Sequence, residues 1–279
     1  MKNDLTVIIP TKSNQKGLEY LKGYFKDKDY QIKIVDNSKK NLGFAKAVNL
    51  VIGLPAGAFR IREAKVGDQR LVDSKWLLIL NDDVEFLEKT QNSNPRSQIQ
   101  NLKLENYKSE KIEKLMEFAE EKKLDAVSPI LVNPKGEIEN MGYKILPIGK
   151  IALITNHQSP TTNHQIDGLT AACLLVKTNV FKKLGGFDVR FFAYLEDVDF
   201  FIRFKKAGYK FGVCQEVKVL HRHMTTSKKM GSFKERQDLI NWWRLYLKHP
   251  DRFKLNLAFV IERLRNVSGL VKAIFRNNK

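Results

Sequence analysis

The chain has 279 residues, 43% of them hydrophobic, enough to bury the core of one large domain or two small ones. Its 49 Lys and Arg against 31 Asp and Glu give a formal charge of +18, which indicates a polyanionic neighbour: nucleic acid, an anionic membrane surface or a phosphorylated substrate. No secretory leader or apolar run of about 18 residues is visible, which argues against a secreted or membrane-spanning chain; we expect a cytoplasmic protein with Cys173 and Cys214 as buried free thiols.

The N-terminal part predicts two buried strands that each end in polar residues. Residues 5–10 form an apolar run closed by Pro10 and followed by Thr11, and residues 31–35 form a second run that ends at Asp36. An acid in this position could hydrogen-bond the ribose or base of a nucleotide, or it could cap a helix. The pattern alone leaves both interpretations open.

A helix is predicted next, in residues 41–49, with Asn41 in position to cap its start. Gly43 and the alanines that follow it are small, so a ligand could approach the first helical turn, whose free N–H groups bind phosphate. Close packing of the helix on a sheet selects the same small residues, and this alternative stays open.

Residues 76–84 are the most informative stretch. Five consecutive bulky residues without polar alternation predict a strand covered on both faces, and the run stops at Asp82 and Asp83. Ligands of open α/β sheets bind beyond the carboxyl ends of such strands. Two adjacent carboxylates repel each other there unless a cation joins them, and Mg²⁺ with a diphosphate suits them. An Asn-Asp-Asp turn without a ligand is the alternative.

Two long segments flank this strand. Residues from about 52 to 74 are expected to form a loop or hairpin excursion, and residues 88–108 an exposed, mobile insertion. Helical spacing returns near Leu115, and residues 142–155 suit a β-hairpin.

A third acidic motif lies in the C-terminal half. Gly168 and Ala171 lead into a predicted strand, and a later helix begins with Glu196, Asp197 and Asp199. Acids in a first helical turn stabilise the helix dipole, which is the simplest explanation. Three acids beside bulky aromatic residues exceed that need, and a carboxylate held against aromatic walls has a raised pKa and can act as a base. We favour the catalytic interpretation.

Histidines close the next predicted element. Residues 209–214 and 217–220 are predicted as paired strands that lead to His221 and His223. Two histidines at alternate positions of a strand end are typical of a ligand site.

The tail is predicted to be helical from residue 233 onward, and it is basic. Trp242 and Trp243 among many Lys and Arg resemble an interfacial segment, whose aromatic rings lie at the headgroup level of a membrane. Packing of both tryptophans on the preceding domain is the alternative. Peripheral attachment to the inner face of the cell membrane is therefore a hypothesis.

In their order along the chain, these motifs resemble the family 2 glycosyltransferases of the GT-A fold, especially the rhamnosyltransferase-like bacterial enzymes that build cell-surface polysaccharides. The resemblance covers about residues 5 to 228 and rests on these motifs: VIIPT at 7–11, VDNS at 35–38, NLGFAKAVN at 41–49, LNDDV at 80–84, residues 167–176, GGFD at 185–188, EDVD at 196–199, and His221. It implies an α/β GT-A fold with a central, mostly parallel sheet flanked by helices. It also implies a catalytic domain at residues 1–232 and a basic, aromatic helical extension at residues 233–279.

The resemblance implies a role for each matching residue. Donor binding is implied for eight residues: Pro10, Thr11, Asp36, Asn41, Gly43, Asp82, Gly168 and Ala171. Asp83 is implied as the ligand of a divalent cation, Mg²⁺ or Mn²⁺, and His221 as completing the metal or diphosphate site. Asp197 is implied as the general base, and Glu196 as the residue that positions a sugar. Relatives often carry proline where this chain has Asp82, so the identity of the principal metal ligand stays open.

The implied reaction is an inverting transfer from a dTDP-, UDP- or GDP-sugar to a hydroxyl of a glycan or polyprenyl-diphosphate-linked acceptor. Two other functions compete with it. A sugar-nucleotide nucleotidyltransferase would carry a glycine- and arginine-rich loop after the first strand, where this chain has residues 11–14, TKSN. A nucleic-acid-binding module would explain the charge but not the acids at successive strand ends, so no nucleic acid is expected.

Overall fold

The structure is a computed structural model that describes residues 4–54, 72–86, 110–156, 166–222, 232–253 and 255–277. The predicted insertion at residues 88–108 and His223 lie outside the described residues, as does most of the predicted excursion at residues 52–74.

The described strands are β1 (Leu5–Thr11), β2 (Gln31–Asp36), β3 (Trp76–Leu80), β4 (Val84–Phe86), β5 (Ala126–Val132), β6 (Ile138–Asn140), β7 (Tyr143–Leu146), β8 (Lys150–Leu153), β9 (Cys173–Lys177) and β10 (Phe211–His221). The described helices are α1 (Gln15–Tyr24), α2 (Phe44–Val51), α3 (Glu110–Glu121), α4 (Thr178–Lys183), α5 (Glu196–Lys206), α6 (Phe233–Lys248) and α7 (Leu257–Asn277).

Within the described residues, eight strands form one central sheet in the order β2-β1-β3-β9-β5-β10-β4, and β6 pairs with β5. Strands β1, β2, β3, β5 and β10 run in one direction, whereas β9, β4 and β6 are antiparallel to their neighbours. This is the α/β architecture that the sequence predicted, with a mostly parallel sheet, flanking helices and a helical tail.

The sheet is covered on both faces, which explains the apolar run of β3. Its successive side chains alternate between two cores because strand side chains point to opposite faces. Leu77 packs in the core that contains Phe200 of α5, and Leu78 packs in the core that contains Leu115 of α3. All five residues of β3 are buried, and so are both cysteines, which are free thiols as predicted.

Two predicted boundaries were wrong. Residues 209–220 were expected to form two paired strands, but β10 is one strand with an irregularity between Cys214 and Lys218, and both of its halves pair with β5. The polar residues between the halves form this bulge rather than a turn. Helix α2 was expected to be capped by Asn41, but its N-cap is Gly43, whose N–H donates to the Asn41 side chain.

The predicted hairpin is confirmed as β7 and β8, which pair from Tyr143 with Leu153 to Leu146 with Lys150. Helix α7 lies against its turn: the Arg263 Nη2 donates to the Gly149 carbonyl at 2.6 Å. Trp242 of α6 is buried in a cluster with Tyr143 of the hairpin, whereas Trp243 is 39% exposed. In the parts of the chain that are described, no helix combines the length and apolar content needed to cross a membrane.

Candidate active site

The turn after β3 holds two acids that face different partners. The Asp82 carboxylate accepts a hydrogen bond from the Thr11 hydroxyl at 2.6 Å and lies 3.4 Å from the backbone N of Lys12. The Asn14 side chain donates to the Asp82 carbonyl at 2.6 Å. Burial raises the pKa of Asp82, although the hydrogen bonds from Thr11 and Asn14 oppose that shift. Asp82 therefore ties the loop after β1 to the end of β3.

Asp83 faces β10 instead, because β4 pairs with β10 directly after the turn. The register sets Val84 opposite His221, and the backbone N–H of Arg222 donates to the Asp83 carbonyl at 2.9 Å. The His221 Nε2 lies 3.3 Å from an Asp83 carboxylate oxygen, and its Nδ1 lies 3.0 Å from Glu139. Burial would lower the pKa of His221, but the hydrogen bonds and charges of the two carboxylates outweigh it and raise that pKa to about 9.

The proposed base lies at the start of α5. The Asp197 carboxylate accepts hydrogen bonds from the backbone N of Val198 at 2.8 Å and the backbone N of Ala171 at 3.3 Å. The Tyr143 hydroxyl lies 3.4 Å from the Asp197 carbonyl. Donors from three chain segments therefore converge on this residue.

Glu196 and Asp197 share one desolvated site. Burial raises the pKa of Glu196 to about 8, and the neighbouring Asp197 charge adds to that shift. Burial also raises the pKa of Asp197, to about 6, while the backbone donors at Ala171 and Val198 limit the rise. The two carboxyl groups titrate as a coupled pair, so near neutral pH they share about one negative charge. This is the state that a general base requires.

The two acidic sites are joined by one short stretch of chain. Ala171, which donates to Asp197, is followed by Ala172, whose carbonyl accepts from the Asn81 N–H at 2.9 Å. Asn81 directly precedes Asp82. The sequence-predicted acids of β3, His221 and Asp197 are thus brought into one region at the end of the sheet.

The predicted nucleoside-binding residues lie at the carboxyl ends of β1 and β2. Thr11 is in register with Asp36, and the Asn37 N–H donates to the Thr11 carbonyl at 2.8 Å. Asp36 is exposed, and hydrogen bonds from Ser38 lower its pKa, so its carboxylate is charged and accessible. The Thr11 hydroxyl, by contrast, is engaged by Asp82. Pro10 is buried within β1.

Two glycines were predicted to leave room for a ligand, but other protein atoms occupy the space beside each of them. A Cβ at Gly43, which has φ 78°, would collide with the Phe192 carbonyl. A Cβ at Gly168 would collide with the Tyr143 hydroxyl. Close packing therefore explains both glycines. The proposed donor roles of Gly43 and Gly168 are not needed to account for their size.

Sequence reasoning missed four residues of this region. Glu139 and Tyr143 lie on short strands and reach the site only through long-range pairing. Asn14 caps α1 by accepting from the Gly17 N–H at 3.1 Å, and Gly17 leaves room for the Asp82 carbonyl. The polar loop before α1 offered a signal for Asn14, since Asn followed by an apolar helix is typical of an N-cap.

A surface cavity lies elsewhere, between α2, α5, α6 and the segment that follows α4. Its lining includes Asn49, Gly186, Asp188, Arg203 and Lys248. The strand-end acids do not line it, so we take the polar region at the ends of β1, β3 and β10 as the candidate site on chemical grounds.

Comparison with known proteins finds no family model that matches the chain. Over 100 residues the chain is 33% identical to an N-acetylglucosaminyl-diphospho-decaprenol L-rhamnosyltransferase of Mycobacterium tuberculosis, a match of 32% of this chain and 33% of that protein. Over 147 residues it is 25% identical to the O-antigen biosynthesis protein RfbC of Myxococcus xanthus, a match of 48% of this chain and 11% of that protein. The matches thus span a third or less of these relatives.

A solved structure, S. aureus TarS 1-349, aligns with 98% of this chain and 72% of its own, with a TM-score of 0.47 and 13% identity. One sequence relative is named as a rhamnosyltransferase and the other as an O-antigen biosynthesis protein. Over the matched segment, the chain is therefore similar to a protein named as an L-rhamnosyltransferase, the class of enzyme that its motifs predict.

Proposed function

We propose that this chain is an inverting glycosyltransferase that moves a sugar from a nucleoside-diphosphate sugar to a hydroxyl of a glycan or lipid-linked acceptor in cell-surface polysaccharide synthesis. The observation that carries the proposal is the buried Glu196–Asp197 pair. Residues 171 and 172 link this pair to the turn after β3, whose Asp83 faces His221 of β10. The name of the mycobacterial relative, which specifies a diphospho-decaprenol acceptor, supports the acceptor class.

In the proposed reaction, Asp197 accepts the proton of the acceptor hydroxyl. The resulting oxygen nucleophile attacks the anomeric carbon from the face opposite the diphosphate, and the bond from that carbon to the diphosphate oxygen breaks. The configuration inverts, and no covalent intermediate forms on the protein. Glu196, which shares the buried site with Asp197, positions a sugar by hydrogen bonding to one of its hydroxyls.

The residues present fit a divalent cation. Asp83 would supply a carboxylate. A cation bound there would displace the proton that Asp83 and Glu139 favour on His221, so that the Nε2 of His221 could become a ligand while Glu139 on the far side of the ring orients it. Among the described residues no cluster of three or more such side chains is arranged to hold a metal ion, so diphosphate oxygens would complete the set. A bound cation would neutralise the charge that grows on the leaving diphosphate. Because Asp82 is engaged by Thr11, Asp83 is the better candidate ligand.

A donor screen tests the proposal. The full-length protein is mixed with Mn²⁺ and a panel of dTDP-, UDP- and GDP-sugars, and its melting temperature and donor hydrolysis are measured. We expect one donor to raise the melting temperature and to be turned over slowly to the nucleoside diphosphate. The Asp83→Ala variant should lose the metal-dependent part of the shift. If no donor in the panel gives either signal, the transferase proposal is wrong.

We also infer that the enzyme works on the inner membrane surface, with α7 lying in the bilayer interface. One side of α7 carries exposed apolar residues three and four positions apart: Leu257, Val260, Ile261, Leu264, Val267, Val271, Ile274 and Phe275. Arg265 and Lys272, both exposed, are near this stripe on a helical projection. The first half of α7 is held by the protein through Phe259 and Arg263, which are buried beside this stripe.

An anionic bilayer is the occupant that fits this face. From residue 233 to the end, the chain has eleven Lys and Arg against four Asp and Glu. An apolar stripe flanked by cations inserts at the acyl boundary while the cations meet anionic headgroups. The same location would bring the site to a lipid-linked acceptor.

A further inference from the structure

Helix α6 contacts the segment that leads into the proposed base. Asn241 is fully buried, and its side-chain Nδ2 donates to the carbonyls of Ala193 at 2.9 Å and Tyr194 at 2.7 Å. Both amide hydrogens of Asn241 are thereby used. Its Oδ1 accepts from Arg244 at 2.8 Å, which fixes the orientation of the amide.

The segment held by Asn241 has an unusual backbone. Tyr194 and Leu195 both lie in the left-handed region, with φ of 68° and 65°, although neither is glycine. Such residues are strained and persist only where their surroundings hold them. The helix start offers no local support, because Leu195 is the N-cap of α5 and makes no side-chain capping hydrogen bond. Glu196 and Asp197 follow directly, so their position depends on this turn.

A second contact holds the other side of the same helical turn. Asp199 is fully buried, and its carboxylate lies 2.7 Å from the Lys248 Nζ and 2.8 Å from the His249 Nε2. Arg203 donates to it from within α5 at 2.9 Å. Burial would raise the pKa of Asp199, but the His249 hydrogen bond and the two cations lower it below its usual value. Helix α6 and the residue after it thus hold α5 on both sides of Asp197.

We propose that Asn241 is a positioning residue that fixes the left-handed turn at Tyr194 and Leu195 and thereby aims the carboxylate of Asp197. The inference rests on the proposed function for the identity of the base. If Asn241 has this role, helix α6 in the tail from residue 233 contributes to catalysis. The sequence had predicted that tail to be an extension outside the catalytic domain.

Asn241→Ala and Asn241→Asp test this proposal in the full-length protein. The Asp variant keeps the shape of the side chain and its contact with Arg244 but has no amide donor for the two carbonyls. Leu247→Ala, at a residue on the same helix that is 74% exposed, is the matched control. Hydrogen exchange of peptides 193–199 and 233–248 is measured, together with the pKa of Asp197 by carboxyl-carbon NMR.

We expect both Asn241 variants to raise exchange in 193–199 about tenfold or more, with little change in 233–248, and to move the pKa of Asp197 toward its ordinary value. With the donor found in the screen, kcat should fall about 10- to 100-fold while the donor KM stays within about twofold. Unchanged exchange and an unchanged Asp197 pKa would overturn the proposal, and so would equal loosening of both peptides. Exchange and NMR do not need a substrate, so the proposed function can fail while this inference holds.

Discussion

Asp82 and Asp83 are adjacent in sequence and have different structural roles. Asp82 binds the loop after β1 through Thr11, and Asp83 turns toward His221 because β4 pairs with β10. The turn between β3 and β4 directs the two side chains to different neighbours, so one acid can support the fold while the other is available to a ligand. The sequence alone left this assignment open.

Asp197→Asn separates charge from shape at the proposed base. Because the folded-state pKa of Asp197 is raised to about 6, its contribution to stability is full below its unfolded pKa and is lost as pH rises through about 6. The Asn side chain does not titrate, so the variant does not lose stability in this way as the pH rises. Its free energy of unfolding relative to wild type should therefore improve between pH 4 and pH 7.5, by roughly 1 to 3 kcal/mol. Urea unfolding at the two pH values measures the difference.

In wild type, the rate of sugar transfer should increase as the pH rises through about 6, where Asp197 becomes ionised. The Asp197→Asn variant should still bind the donor, but its kcat should fall about 10²- to 10⁴-fold. Normal turnover in Asp197→Asn would show that another group is the base. A difference in stability that stays constant with pH would contradict the raised pKa.

At the scale of elements, the close contact of α1 with the acidic turn gives a stability prediction. Gly17 lies in the first turn of α1, where a Cβ would collide with the Asp82 backbone carbonyl and approach the Asn14 side chain. Gly17→Ala should therefore lower the free energy of unfolding by about 1 to 3 kcal/mol, because the backbone carbonyl cannot move aside without shifting the turn. Denaturant unfolding measures this loss.

Gly269→Ala is the matched control, because a Cβ there meets no atom within 4 Å and the residue lies within α7. This substitution should stabilise the protein by about 0.5 to 1 kcal/mol through helix propensity. Equal effects of the two substitutions would show that the Asp82 carbonyl moves aside without cost, and the steric explanation of Gly17 would then be wrong.

The sequence predicted elements well where burial controls composition. Strands β1, β3 and β9 are covered on both faces, so each appears as an uninterrupted apolar run. The bulge in β10 could not be predicted from the sequence, because polar residues such as Gln215 and Glu216 are also typical of a turn. Only the pairing of both halves with β5 shows that β10 is one strand.

The acidic residues at the strand ends were predictable, because Asp36 ends the apolar run of β2 and Asp82 and Asp83 follow that of β3. Glu139, Tyr143 and Asn241 were not, since each reaches the site through contacts more than 45 residues away in sequence. No local pattern records such a contact.

At the scale of the whole molecule, the charge and the exposed face of α7 predict binding to anionic vesicles. The protein should float with vesicles that contain phosphatidylglycerol and remain at the bottom of the gradient with pure phosphatidylcholine, and high salt should weaken binding. A Leu264→Asp, Val271→Asp double variant should lose flotation, because both side chains are exposed on the apolar stripe.

Ile34→Asp is the control for this experiment, since Ile34 is an exposed apolar residue on β2, at the opposite edge of the sheet from β4. The α7 variant could instead change the oligomeric state, while flotation of the wild type does not depend on lipid composition. In that case the apolar face of α7 binds a second copy of the chain rather than a membrane.

The two buried cysteine thiols can report local opening of the central sheet. Cys173 pairs with Leu80 one residue before the Asn-Asp-Asp turn, and Cys214 lies at the bulge of β10. The sequence contains no other cysteine. Burial raises the pKa of both thiols, so alkylating reagents can modify them only when the sheet separates locally or unfolds. The labelling rate of Cys173 therefore measures how often the sheet opens next to the acidic turn, and that of Cys214 how often it opens at the bulge of β10, with no engineered probe.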